Sequence, residues 1–204
     1  MTFGTTRRHY PAPMPQLDSV GSMLLKSAGD LLAAEGPGAL TVRRIANEAG
    51  VSTMNVYSRF GGKDGVVEHL FIEGFHRLAE GMTAVTETSD PIADICSCGA
   101  AYRQFAIENP TLYSVMFDRV VPDFLPTIEA QILAGATLGL LAKRLERAMM
   151  AGALRTADPL STAALVWATC HGVVSLELKG VDPDTIDWPD VYDRAMDMIV
   201  AGLA

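Results

Sequence analysis

Between residues 41 and 63 the stretch TVRRIANEAGVSTMNVYSRFGGK gathers side chains that bind a phosphodiester backbone and the edges of stacked bases. Arg43, Arg44, Arg59 and Lys63 stand there against Glu48 alone. Thr41 sits where a helix begins, so its hydroxyl and the neighbouring backbone amides can meet a phosphate. Thr53, Met54, Asn55, Tyr57, Ser58 and Arg59 follow Ser52 in one short run. Asn can bond adenine at two points, Arg can do the same to guanine, and Thr or Met can touch the methyl group of thymine. Lys63 adds a further phosphate contact. Charged residues on short helices usually form an ordinary solvated face, so the reading depends on how the apolar residues between them position the set.

Those apolar residues recur at helical spacing. Ile45 and Ala49 are four apart, Gly50 breaks the run, Val51 is an apolar plug, and Ser52 can cap a second helix that carries Val56 and Phe60 four apart. Two short helices joined by a four-residue turn let the second lie in a DNA major groove while the first crosses the backbone. Upstream, Val20, Leu24, Ala28, Leu31 and Leu32 predict an amphipathic helix that opens at Asp18 or Ser19 and stops at Gly36-Pro37-Gly38. Downstream of Gly61-Gly62, a longer helix from Lys63-Asp64 places Val67, Leu70, Phe71, Phe75, Leu78 and Met82 on one stripe. The division expected is a mobile arm over 1–17, a DNA-binding unit over 18–62 and a helical unit over 63–204.

All later segments read as helix, over about 91–108, 110–118, 122–152, 159–179 and 188–203, with a break in the third near Gly135 or Gly139. None alternates as a strand does, so the fold class is all-α. The net charge of −8 is carried by the second part: residues 1–70 hold 7 basic and 6 acidic side chains, and 71–204 hold 9 and 18. Three cysteines, two of them in Cys96-x-Cys98, do not make a disulfide framework. There is no secretory leader pattern, and no uncharged stretch of membrane-spanning length is expected, which points to a cytoplasmic protein without a membrane partner. No nucleophile elbow, phosphate-binding glycine loop, metalloprotease helix or dinucleotide fingerprint occurs, so no enzyme and no cofactor are expected.

At Leu40, Thr41, Ile45, Ala46, Ala49, Gly50, Val51, Ser52, Tyr57, Phe60 and Lys63 the sequence resembles the tetracycline-repressor (TetR) family of regulators. The resemblance implies an all-helical homodimer whose first three helices bind a near-palindromic double-stranded operator, usually as a repressor, and whose C-terminal helices hold a small-molecule effector. It places Arg43, Thr53, Met54, Asn55, Tyr57, Arg59 and Lys63 at DNA-touching positions. Gly65 stands where the family usually has an apolar residue and predicts a looser first turn of the connecting helix. Glu108–Phe117 and Trp167-Ala-Thr-Cys-His-Gly172 resemble the Trp–His–Gly subgroup of the family's C-terminal domains.

In that second part Tyr102, Phe105, Tyr113, Met116, Phe117, Met149, Met150, Trp167, Cys170 and His171 suit either an adaptable apolar cavity or a packed core. Cys170 beside His171 invites a metal or a small helical enzyme as the rival reading, but the spacing fits no standard zinc site, and a hydrogen-bonded histidine near a dimer seam suits it better. Leu165, Val166, Val173 and Leu176, with Val191, Tyr192, Ala195, Met196 and Ile199, would pair the helices at 159–179 and 188–203 with a symmetry mate, or else close the chain's own core.

Overall fold

The computed structural model describes residues 17–204. The arm expected over 1–17 therefore lies, apart from Leu17, outside the described residues. Among the described residues there are nine α-helices and no strand: α1 Ser19–Glu35, α2 Val42–Glu48, α3 Thr53–Phe60, α4 Lys63–Ala84, α5 Pro91–Glu108, α6 Pro110–Phe117, α7 Ile128–Met150, α8 Pro159–Leu178 and α9 Trp188–Leu203. A short 3-10 turn, Pro37–Ala39, joins α1 to α2.

The first three helices begin and end where their caps dictate. Asp18 accepts from the Gly21 amide at 2.7 Å and Thr41 Oγ1 from the Arg44 amide at 3.2 Å, satisfying donors that a helix start leaves open. Between α2 and α3, Gly50 takes φ 67°, and the Val51 amide turns back onto the Ala46 carbonyl at 2.9 Å. Glycine adopts that backbone with least strain, so the turn follows from residue type. Leu24, Ala28, Leu31, Ile45, Ala46, Val56 and Phe60 are buried together and set the α2–α3 angle.

Helix α4 starts at Lys63, and its first turn is tight rather than loose. A Cβ on Gly65 would lie 1.7 Å from the Phe60 carbonyl oxygen, so the missing side chain lets α4 butt directly against the end of α3. His69 steadies the corner, its Nδ1 lying 2.8 Å from the Gly65 carbonyl and its ring edge-on to Phe60. At the other end of α4, the buried Arg144 of α7 donates Nη2 to the carbonyls of Met82 at 3.0 Å and Val85 at 2.6 Å. The helix is thus held at both ends, over roughly 30 Å of length.

Two expectations are corrected. Residues 122–127 are not helical, because Pro126 disfavours helix in the residue before it and Asp123 sits at φ 64°; α7 begins after Thr127 and runs unbroken through Gly135 and Gly139. Helix α8 is also long and apolar enough to cross a membrane, with no Asp, Glu, Lys or Arg over residues 159–176. Thr162, Ala163, Val166, Cys170 and Val174 on it are buried within the chain's own helices.

Candidate nucleic-acid interface and ligand cavity

The structure sorts the residues of α2 and α3 by direction. Val56 and Phe60 point inward, while Ser52, Thr53, Met54, Tyr57 and Ser58 are exposed on α3. Met54 and Tyr57 are 69% and 55% exposed, large apolar surfaces with no cover. Thr41 and Arg43 are exposed at the start of α2, and Lys63 is half-exposed at the start of α4. These groups lie together on the neighbouring helices α2, α3 and α4.

Three of the four cations stand beside a carboxylate, Lys63 loosely, 4.0 Å from Asp64, and two arginines in two-point grips. Arg44 grips Glu35, at the end of α1, through Nη1 at 2.7 Å and Nη2 at 2.6 Å. Arg59 grips Asp18, at the start of α1, through Nε at 2.9 Å and Nη2 at 2.6 Å. The Arg59 guanidinium and the Gly21 amide hold the Asp18 carboxyl down at about 2. Sequence reading did not single out Asp18 or Glu35 as partners, because one arginine lies 41 residues from its acid and the other nine, with no helical period linking them. Ser52 stands at the N-cap of α3, as expected, but its side chain makes no capping bond; its Oγ accepts from Asn55 Nδ2 at 3.1 Å.

The second site is a partly open cavity of about 260 Å³ bordered by α4, α5, α6, α7 and α8. Tyr102, Phe117, Trp167 and Cys170, all named from sequence, line it. So do Phe75, Leu78 and Met82 of α4, Cys98 and Gly99 of α5, and Ala134, Gly135, Thr137, Leu138 and Leu141 of α7, which the sequence did not separate from ordinary core. The one available signal was the small-residue run Ala134-Gly135-Ala136, since glycine inside a helix costs about 1 kcal/mol against alanine and needs a reason. Tyr113 and His171 stand behind the lining. The His171 Nδ1 lies 2.7 Å from the Tyr113 hydroxyl and 3.1 Å from that of Tyr102, and Trp167 Nε1 donates to Tyr102 at 3.3 Å. Burial holds the imidazole below its ordinary pKa, which favours the neutral ring at pH 7. Phe105 and Met116 are buried away from the lining, Met149 is half-buried and Met150 is fully in solvent.

The cavity and the interface are joined by shared helices. Helix α4 walls the cavity with Phe75, Leu78 and Met82 and carries Lys63 at the opposite end. Helix α6 adds Phe117 to the wall and packs so closely on α4 that a Cβ on Gly74 would lie 2.4 Å from Met116 Sδ.

On the exposed sides of α8 and α9, Leu160, Leu165, Leu176 and Met198 lie uncovered. Val166, Tyr192 and Met196, expected to face a symmetry mate, are turned inward: Val166 lines the cavity, Tyr192 donates to the Gly99 carbonyl at 2.6 Å, and Met196 meets Cys170 at 3.3 Å. Among the described residues no three His, Cys, Asp or Glu side chains converge on a metal position.

Comparison with known proteins agrees with this architecture. Residues 24–70 match the model for bacterial regulatory proteins of the tetR family, and residues 95–201 match that for the tetracyclin repressor-like C-terminal domain. No curated protein matches in sequence. A protein of unknown function from Rhodococcus sp. RHA1 is 26% identical, with 95% of this chain and 100% of that one covered and a TM-score of 0.80. The TetR family regulator PfmR from Thermus thermophilus is 20% identical, with 89% and 98% covered and a TM-score of 0.69. SmeT, solved as a complex with triclosan, is 23% identical, with 91% of each chain covered and a TM-score of 0.64. With both of its parts matched and the helix-turn-helix seated at one end of an all-helical fold, the chain belongs to the tetracycline-repressor family of transcription regulators.

Proposed function

We propose that this regulator is a repressor that binds a near-palindromic operator as a homodimer and leaves it when a small, neutral, apolar effector fills the cavity. The observation that carries this reading is the single helix α4, which mounts the α2–α3 interface at one end and walls an apolar cavity at the other. Residues 18–62 act as the DNA-binding unit and 63–204 as the effector and dimerisation unit. Thr41, Arg43 and Lys63 fix register on phosphates while α3 enters the major groove.

The cavity chemistry defines the effector. Its walls offer hydroxyls from Tyr102 and Thr137 and thiols from Cys98 and Cys170, with no charged side chain among them. A charged ligand would lose its hydration there without compensation, so the effector is neutral. A void of roughly 150 Å³ holds benzene, so 260 Å³ suits a compound of about ten to fifteen heavy atoms. The SmeT complex with triclosan supports a small-molecule ligand for this fold. Effector and DNA are coupled if the filled cavity prefers an α4 position that misplaces α3; a typical coupling of about 1–3 kcal/mol weakens operator binding roughly 5–150-fold.

A short recognition helix reads too few bases alone, and two copies about 34–36 Å apart supply the rest. Leu160, Leu165, Leu176 and Met198 are the exposed apolar residues available to pair α8 and α9 with a second copy. Sedimentation is expected to give twice the 21.8 kDa chain mass, and selection from a random DNA pool at moderate salt one near-palindromic motif. A monomer at micromolar concentration would remove the dimer, and no enrichment by folded protein would remove the operator.

A further inference from the structure

The polar edge of α3 is a closed chain of hydrogen bonds, whereas its apolar edge is open. Arg59 commits Nε and Nη2 to the two carboxylate oxygens of Asp18, and Nη1 to Asn55 Oδ1 at 2.8 Å. Asn55 commits Nδ2 to Ser52 Oγ at 3.1 Å. To grip O6 and N7 of guanine, a guanidinium presents a pair of its donors, and Asp18 already holds one such pair. To bond adenine, the Asn55 amide must turn both its oxygen and its nitrogen to the base, and both are engaged. Beside this chain Thr53, Met54 and Tyr57 are exposed and uncovered.

We propose that Asp18 decides how α3 reads DNA: it holds Arg59, and through it Asn55, against the start of α1, and leaves base selection to Thr53, Met54 and Tyr57 on thymine methyl groups. The inference rests on the operator-binding reading above. The occupant of the apolar edge is duplex DNA, because exposed Arg43 and half-exposed Lys63 stand on α2 and α4, the helices neighbouring α3, and the thymine methyl is the apolar group that the major groove presents. Asp18 is thus a positioning residue, and its charge suppresses a guanine contact that Arg59 would otherwise make.

Asp18→Asn separates charge from capping, since asparagine also accepts from the amide of a helix start; Asp18→Ser, another good cap, is a second variant should the first fold poorly. Sites are selected from a random pool with wild type and variant, and each thymine of the wild-type half-site is then replaced by uracil, which removes only the methyl group. At least one thymine is expected to lose about fourfold in affinity on replacement, the ~0.8 kcal/mol of one buried CH₂ taken at 1.4 kcal/mol per tenfold. Met54→Ala is expected to abolish that loss. The Asp18→Asn motif is expected to gain a guanine preference of about fivefold or more that wild type lacks. Indifference to uracil throughout the half-site overturns the inference, as does a motif from the Asp18 variants that is the same as that of wild type. If wild type enriches no sequence, the operator reading falls with it; if wild type enriches a motif and the variants change nothing, this inference falls alone.

Discussion

Arginines at the two ends of this molecule meet the same chemistry at different depths. Arg44 and Arg59 pair with Glu35 and Asp18 at the surface; the Arg44–Glu35 side chains are each 46% exposed. In the C-terminal helices Arg144 is buried on the carbonyls that end α4, Arg147 holds the buried Asp94, and Arg103 grips Glu177 with both side chains largely covered. Water screens an exposed pair and makes it easy to exchange, whereas a covered one is costly to break. The Arg44–Glu35 pair can therefore exchange readily, whereas the Arg59 side chain, only 25% exposed, stays held on Asp18 and the covered pairs of the C-terminal helices fix the frame that holds the cavity.

Substitutions test that contrast. Arg144→Ala is expected to cost the most, about 3 kcal/mol, because two carbonyls at the end of α4 lose their donor and a cavity is left behind. For a domain of this size the melting temperature would fall by roughly 6–12 °C in a calorimetric scan. A smaller loss would mean that the far end of α4 is held elsewhere.

Asp94 sharpens the same point through pH. The Thr88 amide, helped by the Thr88 hydroxyl and Arg147 and opposed by burial, holds its carboxyl below the ordinary aspartate value. A carboxyl lowered on folding contributes stability that is present above the unfolded pKa and is lost as pH falls through the folded one. Thermal melts from pH 6 to 3 should therefore show wild type losing stability below about pH 4, and Asp94→Asn losing less of it over that range.

Gly135→Leu addresses the cavity. A Cβ there meets nothing within 4 Å, so the side chain can start without a clash beside the cavity, and removing a helical glycine is expected to gain about 1 kcal/mol. Melting should hold or rise while operator binding becomes insensitive to any effector that wild type answers. Persisting sensitivity would place the effector outside this cavity. The smallest effect is expected of Glu35→Gln. The melting temperature should stay within about one degree, while operator affinity rises by no more than about fivefold as Arg44 is freed. A large drop in melting temperature would show the surface pair to be structural after all.

The two sites were not equally legible. The interface was written in residue types at fixed spacing: Gly50 must turn, Thr41 must cap, Ile45, Val56 and Phe60 must be buried, and what remains faces outward. The cavity was only half legible, since Tyr102, Phe117, Trp167 and Cys170 belong to a class that lines voids and cores alike. Phe105 and Met116 have the same character and are buried away from it. Gly65 could be noted from sequence as a departure, but its reason, the Phe60 carbonyl lying where a Cβ would be, belongs to the meeting of two helices.

Sequence by itself determined the all-helical class, the helix-turn-helix and its outward set, because caps, breakers and a 3.6-residue period act over a few neighbours. Tertiary structure alone decided which acids hold Arg44 and Arg59, which aromatic residues border empty space, and that α4 joins cavity to interface. These depend on contacts between side chains far apart in the chain, and a void is a property of how surfaces fail to meet, which no local pattern of residues records.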